Sequence, residues 1–300
     1  MGQKKSASSK SRDLEKLLAR FRVTEGKRFH LNDIDPGDTA GVDKDFAKAA
    51  HASGIERLAG LQERLYAEDR QGVLVIFQAM DAAGKDGAID YVFSGVNPLG
   101  FQVFSFKQPS SEELDHDFLW RTSRSLPERG RIGVFNRSYY EEVLIVRVHP
   151  EILAGQRIPG SVISKSIWEE RLGDIAAFER YFSRQGFLIL KFFLHVSRDE
   201  QKARFLSRLD EPEKNWKFAL ADVRERGHWD DYMKAYDEAI RATASEHAPW
   251  HVVPADHKWF TRYVVSETII AALEGLKLAF PEPAIAPQQI ATARKELAKS

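Results

Sequence analysis

The chain has 300 residues, 43% of them hydrophobic, with 44 basic and 44 acidic side chains and no cysteine. That length suits one large domain or two small ones whose core needs no staples. The missing cysteines exclude disulfides, thiolate nucleophiles and zinc–thiolate sites. A formal charge of zero lacks the basic excess of a nucleic-acid-binding domain, so a polyanionic ligand must be met by a local cluster of cations.

The chain opens on "MGQKKSASSKSR", read as a disordered basic start. Its first six letters also fit the short N-myristoylation pattern. The start has no apolar stretch of signal-peptide type, and no apolar run reaches the roughly 18 residues of a membrane span, so a cytoplasmic protein is expected. Residues 1–45 form an N-terminal extension in which the turn-rich "LNDIDPGDTAG" wraps the surface. Five apolar runs then read as buried parallel strands: 73–77, 101–106, 131–135, 186–196 and 250–255. Between them lie helical patterns. Trp168, Leu172, Ile175, Phe178 and Phe182 recur at three- and four-residue steps in 168–182, as do Trp229, Tyr232, Met233, Tyr236 and Ile240 in 229–247. Phe260, Tyr263, Val264, Ile270 and Leu273 mark the last long helix, and such stripes read as core faces. Strands alternating with helices predict an α/β domain over 46–280, a five-stranded parallel sheet covered on both faces. "PEPAIAP" breaks the chain before a tail, 281–300.

The first strand runs into "AMDAAGKDG", the arrangement of a phosphate-binding P-loop: strand, small-residue loop, then Gly84 and Lys85 opening a helix. Backbone N–H groups of Ala82, Ala83, Gly84, Lys85, Asp86 and Gly87 would meet phosphates, with Lys85 reaching in as a point charge. Two letters depart from the usual G-x-x-x-x-G-K-[ST], and an acid at a third, unrestricted position fits a phosphate cradle badly. Ala79 replaces the first glycine, which matters only if that position needs positive φ. Asp86 replaces the hydroxyl residue that touches Mg²⁺. Asp81 would repel a polyphosphate unless a divalent cation bridges carboxylate and phosphate oxygens, as Mg²⁺ does with one or two carboxylates, Mn²⁺ being the possible substitute. An N-cap role for Asp81 in a plain strand–turn–helix is the other reading.

The third strand ends in "FNRSYYEEVLIVRVHP", at the crevice where α/β sheets bind ligands. Asn136 stands where a metal-holding carboxylate would, with Glu141 five residues on to supply negative charge. Arg137 can grip phosphate oxygens bidentately or pair with Glu141. Lys107, Arg121, Arg124, Arg129 and Arg131 offer a cationic path, with Arg121 and Arg124 sharing a face if helical. In the charged segment 204–228, Arg204 and Arg208 lie four apart, so both can point one way from a helix. The nine histidines show no metal spacing.

"MDAAGKDGAID", "FNRSYYEEVLIVRVHP", "RFLSRLDEPEKNWKFA", "WDDYMKAYDEAI" and "HAPWHVVPADHKWFTRY" together resemble the polyphosphate kinase 2 family, in order and across residues 20–280. The resemblance implies a P-loop kinase fold like that of thymidylate kinases. It also implies Mg²⁺-dependent phosphoryl transfer between inorganic polyphosphate and nucleotides, and a homo-oligomer, dimer or tetramer. It makes Asp81 a metal and catalytic residue, Lys85 the loop lysine, Arg137 the arginine after the Walker B position, 204–228 a mobile lid and Arg208 the lid arginine that closes on transferring phosphate. Many members have Asp at 136 and Asn at 141. Asn136 with Glu141 resembles the subgroup often called class III, which accepts AMP and ADP to give ADP and ATP. An ATP-dependent nucleoside monophosphate kinase and a non-catalytic nucleotide-sensing P-loop protein are the rival readings, Ala79, Asp86 and Asn136 being signs of decay in the second.

Overall fold

The computed structural model describes residues 2–299, with side chains from residue 12 onward. Its strands are β1 (Arg22–Val23), β2 (Gly72–Ala79), β3 (Phe101–Ser105), β4 (Ile132–Asn136), β5 (Phe187–His195) and β6 (Trp250–Pro254). They form one sheet of six strands in the order β1-β6-β5-β2-β4-β3. The five expected strands are all present and mutually parallel, but β3 is an edge strand with no buried residue rather than the buried strand expected, because only one neighbour covers it. The expected total of five is corrected by β1, two residues that pair antiparallel with β6, Arg22 opposite His251. So short a strand has no periodicity to read.

The central strand β2 is buried along its whole length, which explains its unbroken apolar run. Its register sets Phe77 beside Asn136 of β4 and Ala79 beside Leu194 of β5. The carboxyl ends of three strands therefore open at one level. The longer helices are α1 (Gly2–Phe21), α2 (Lys44–Glu68), α3 (Lys85–Phe93), α4 (Ile167–Arg184), α5 (Arg198–Asp210), α6 (Trp229–Thr243), α7 (Lys258–Gly275) and α8 (Pro287–Leu297). Helices α2, α3 and α7 pack as one group, and α4 packs with α6 as another. Helix α6 ends four residues before the expected 247, where Ala244 turns to extended geometry ahead of β6.

The N-terminal extension joins the main core. Phe21 is buried edge-on against Phe260, and the buried Leu31 donates its N–H to Asp237 of α6. The start read as disordered is helical from Gly2 in α1, whereas the acylation pattern involves Met1 and side chains 2–11, which lie outside the described residues. Helix α8 is exposed throughout. Among the described residues no helix is long and apolar enough to cross a membrane.

Beneath the end of β4 lies a buried polar network. Lys191 of β5 donates to Glu179 of α4 at 2.5 Å, to Tyr140 Oη at 3.0 Å and to the Thr243 carbonyl at 2.9 Å. Tyr139 and Tyr140 both donate to Glu179. Burial pulls the Lys191 pKa down despite this carboxylate. The network pins the turn that carries Arg137 and Glu141. Lys191→Met would leave Glu179 buried without its cation, and should cost about 3–5 kcal/mol of stability in a denaturant melt. Adding Glu179→Leu should recover part of that loss.

Candidate active site

The loop after β2 answers the question that Ala79 raised. Ala79 is the last residue of the strand, extended and buried, and its carbonyl accepts from Lys85 Nζ at 2.8 Å. The left-handed positions fall instead at Ala82 (φ 60°) and Gly84 (φ 104°). A glycine at 79 is therefore not needed, whereas Gly84 is, and Ala82 holds a conformation that costs a non-glycine residue on the order of 1 kcal/mol. Gly84 caps α3, whose first-turn N–H groups at Lys85, Asp86 and Gly87 have no acceptor within the helix. Asp81 is not the N-cap.

Arg137 follows β4 in the left-handed region (φ 65°), tied by its N–H to the Phe77 carbonyl at 3.0 Å. This backbone turn aims its guanidinium at two carboxylates. One nitrogen donates to Asp81 Oδ1 at 2.7 Å and another to Glu141 Oε2 at 3.1 Å. Both alternatives for Arg137 thus meet in one place: it pairs with Glu141 and stands in the phosphate loop's mouth. Glu141 and then Asp81 raise its pKa further against burial. Lys85 is buried, and burial first, then Arg137, lowers its pKa to about 8.

Asn136 at the end of β4 and Asp86 in the loop, each a departure from its own motif, compensate each other. Asn136 Nδ2 donates to Asp86 Oδ1 at 2.6 Å. A carboxylate at 136 would face Asp86 with like charge, so an amide here fits an acid in the hydroxyl position.

Several expected phosphate ligands are placed otherwise. Arg204 of α5 is buried with all five N–H groups in use: Nε on Glu200, and the terminal nitrogens on the carbonyls of Ala82, Ala83, Ala255 and Asp256. It braces the loop from behind and has no donor left for phosphate. Arg121 is also buried, donating to the Lys107 carbonyl at 2.7 Å, 3.6 Å from Glu142 and over the Phe106 ring. Arg124 instead is exposed, stacked on Trp120 near Glu112, so the two do not share a face. Arg129 and Arg131 precede β4, at the end of the strand away from the loop. Lys107 is exposed beyond β3. The expected cationic cluster therefore disperses.

The segment after α5 folds into short turns, Pro212–Lys217, Leu220–Glu225 and Arg226–His228. Arg208 donates to the Lys217 carbonyl at 3.2 Å and lies 3.9 Å from Asp222, contacts within that segment. Burial, and more weakly Asp81, raises the Asp222 pKa, which places this segment within electrostatic reach of the loop.

Four residues beside the loop escaped the sequence reading. Gln201 donates to the Asp81 carbonyl at 2.9 Å and accepts from Arg226 at 2.6 Å, joining loop and segment. Glu142 lines a cavity of about 170 Å³ with Phe118, Arg121, Gln156 and Arg171. Lys258 and Arg262 open α7, and a side chain at Gly87 would meet Arg262 at 3.3 Å. Burial, then Arg204, lowers the Lys258 pKa, with Arg262 and Lys214 adding to it. Their signal lies in "HKWFTRY": two cations four apart at the start of a helix with no other basic residue.

The loop carboxylates suit a divalent ion only in part. Among the described residues no three His, Asp or Glu side chains could hold a metal alone. Asp81 and Glu141 can supply two carboxylates, the number Mg²⁺ takes when phosphates complete its shell.

Residues 41–281 match the family model described as polyphosphate kinase 2. The chain is 55% identical over 267 residues to an ADP-polyphosphate phosphotransferase of Rhodopseudomonas palustris, covering 87% of this chain and 91% of that one. It is 44% identical over 275 residues to an AMP/ADP-polyphosphate phosphotransferase of Meiothermus ruber, covering 91% and 99%. The crystal structure of polyphosphate kinase 2 from Arthrobacter aurescens superposes with a TM-score of 0.85 at 42% identity, covering 93% and 95%. With strand order, loop and match agreeing over most of its length, the chain belongs to the polyphosphate kinase 2 family.

Proposed function

We propose that the protein is a polyphosphate:nucleotide phosphotransferase, moving a phosphoryl group reversibly between inorganic polyphosphate and AMP or ADP to give ADP or ATP. The observation that carries this reading is the loop itself. A buried lysine and a free helix start face a guanidinium held between Asp81 and Glu141. Such transfer asks the protein to align donor and acceptor and to neutralise charge, with little covalent work.

Lys85 and the α3 N-terminus hold the phosphates in line. Arg137 carries two oriented N–H pairs and can exchange a carboxylate for phosphate oxygens when substrate enters, which frees Asp81 and Glu141. Mg²⁺, held by Asp81 and Glu141, would neutralise charge on the bridging oxygens. Arg208 must leave the Lys217 carbonyl to reach the transferring group, so the 204–228 segment acts as a lid that excludes water. Lys258 and Arg262, rather than the dispersed arginines of 121–131, offer the polyanion a path beside α3. The cavity lined by Phe118 and Glu142 is assigned to the acceptor's nucleoside. Cytoplasmic location and assembly as a homo-oligomer belong to the same reading.

The test omits ATP. Enzyme, Mg²⁺ and long-chain polyphosphate are mixed with AMP or with ADP, and products are separated by chromatography. The reading expects ADP and ATP from AMP, and ATP from ADP. Products only when ATP is the donor would make the protein a nucleoside monophosphate kinase. Binding without turnover would make it a non-catalytic scaffold.

The low Lys85 pKa carries a further expectation. In the free protein about half of the ammonium has lost its proton near pH 8, and a bound phosphate favours the charged form. Binding should therefore take up a proton above about pH 8, and polyphosphate affinity should fall as pH rises beyond it. Calorimetry near pH 8.5 in buffers of different ionisation enthalpy reads that uptake, which Lys85→Met should remove.

A further inference from the structure

His149 is the last residue but one of the quoted "FNRSYYEEVLIVRVHP" block and has no part in the chemistry above. Its ring lies between two acids from separate elements. Nε2 is 2.9 Å from Glu225 Oε2 in the 220–225 turn, and Nδ1 is 3.2 Å from Glu151 Oε1. The side chain is mostly buried, 17% exposed. Tyr232 of α6 donates to the same Glu225 oxygen at 2.8 Å. His228 packs edge-on against the His149 ring at 4.9 Å and lies 3.7 Å from Asp231. Downstream of Glu225, Arg226 reaches the Arg198 carbonyl and Gln201, which in turn holds the Asp81 carbonyl.

A carboxylate only accepts hydrogen bonds. A neutral imidazole has one N–H and can satisfy one of these acids, whereas the imidazolium donates to both. We infer that His149, as imidazolium, is the latch that fastens the trailing end of the lid segment to the body of the protein, and that it thereby positions Arg208 and Gln201. The groups facing it are Glu151 from its own stretch, Glu225 and His228 from the lid's end, and Tyr232 and Asp231 from α6. The direction of its titration agrees. Burial alone lowers its pKa, and Glu225 and Glu151 outweigh burial to raise it above 6.5. With a raised pKa, the latch is closed below that value and released as pH climbs through it. His149 is a positioning residue, since it touches neither loop nor substrate.

The inference uses the lid role proposed above, but its test reads no turnover. Backbone hydrogen exchange over 198–228 is followed in the full-length protein from pH 6 to about pH 9, with intrinsic rates corrected. Lid protection should fall roughly tenfold as His149 loses its proton, a charge-assisted bond being worth about that factor. His149→Gln carries its donors on one nitrogen and no charge, so it cannot bridge acids that meet the two separate ring nitrogens, and should show the low protection at every pH with the rest of the chain unchanged. Glu225→Gln should flatten the profile in the same way. The proton of His149, followed by NMR, should titrate at the pH of the exchange step. Equal protection at pH 6 and pH 9 in the wild type, or a His149→Gln profile identical to it, overturns the latch. If exchange behaves as expected while the ATP-free assay yields no nucleotide, the latch stands and the functional reading falls.

Discussion

Asp81→Asn is expected to remove nearly all phosphotransferase turnover while the fold persists. The substitution keeps the shape of the side chain, and an amide oxygen can still accept from Arg137. It removes one of the two carboxylates proposed above to bridge a divalent cation to phosphate. Changes one step removed from a metal already cost about 10–100-fold, so a lost ligand should lower kcat by at least about a hundredfold. Stability should hardly move. The Asp81 and Arg137 side chains are 37% and 35% exposed, and such half-solvated pairs contribute about 1 kcal/mol or less. The measurement is kcat with ADP and polyphosphate at saturating Mg²⁺, beside a thermal melt. Raising Mn²⁺ should recover part of the loss if the defect lies in metal affinity. Activity within a few-fold of wild type would show that the loop acid has no bridging role, and the functional reading would lose its main support.

Much of this architecture can be read before any coordinates. The central strand shows because burial on both faces leaves an unbroken apolar run at Val73–Phe77, whereas the edge strand β3 shows by its phenylalanines and valine although none of its residues is buried. Lys85, Gly84 and Asp81 show because a loop holding phosphate has few chemical solutions. What escapes is partnership. Arg121 and Arg204 carry the same side chain as Arg137, yet the first two spend their donors on carbonyls and carboxylates inside the fold. Only tertiary packing decides which arginine faces the crevice. Helix α2 was not singled out, because its buried positions include Ala47, Gly54 and Gln62 beside three leucines, a weak stripe. The bond between Asn136 and Asp86 joins residues fifty apart, and each alone reads as decay of a motif. Together they are a matched pair, which weighs against the non-catalytic rival.

The same partnership makes Arg137 the most informative second substitution. Arg137→Ala should lower kcat by about 10³-fold, the usual worth of an arginine that stabilises a transferring phosphoryl group. Arg137→Lys should rescue little, since an ammonium lacks the planar fork that serves two acceptors at once. The distinctive consequence is in the free protein. Without the guanidinium, Asp81 and Glu141 face the loop unneutralised, so Mn²⁺ binding in the absence of nucleotide should tighten in the alanine variant even as catalysis collapses. Lys85 should respond as well. Arg137 is the second cause of its lowered pKa after burial, while Asp81 and Glu141 push the other way. Removing the arginine leaves those acids unopposed, so the Lys85 pKa should climb from about 8, and the pH at which polyphosphate binding begins to take up a proton should climb with it. Calorimetry with Mn²⁺ and then with polyphosphate reads both shifts on one sample. Weaker Mn²⁺ binding, together with an unchanged proton uptake, would mean that the guanidinium does not hold the two carboxylates in check, and the exchange of carboxylate for phosphate at Arg137 would have to be abandoned.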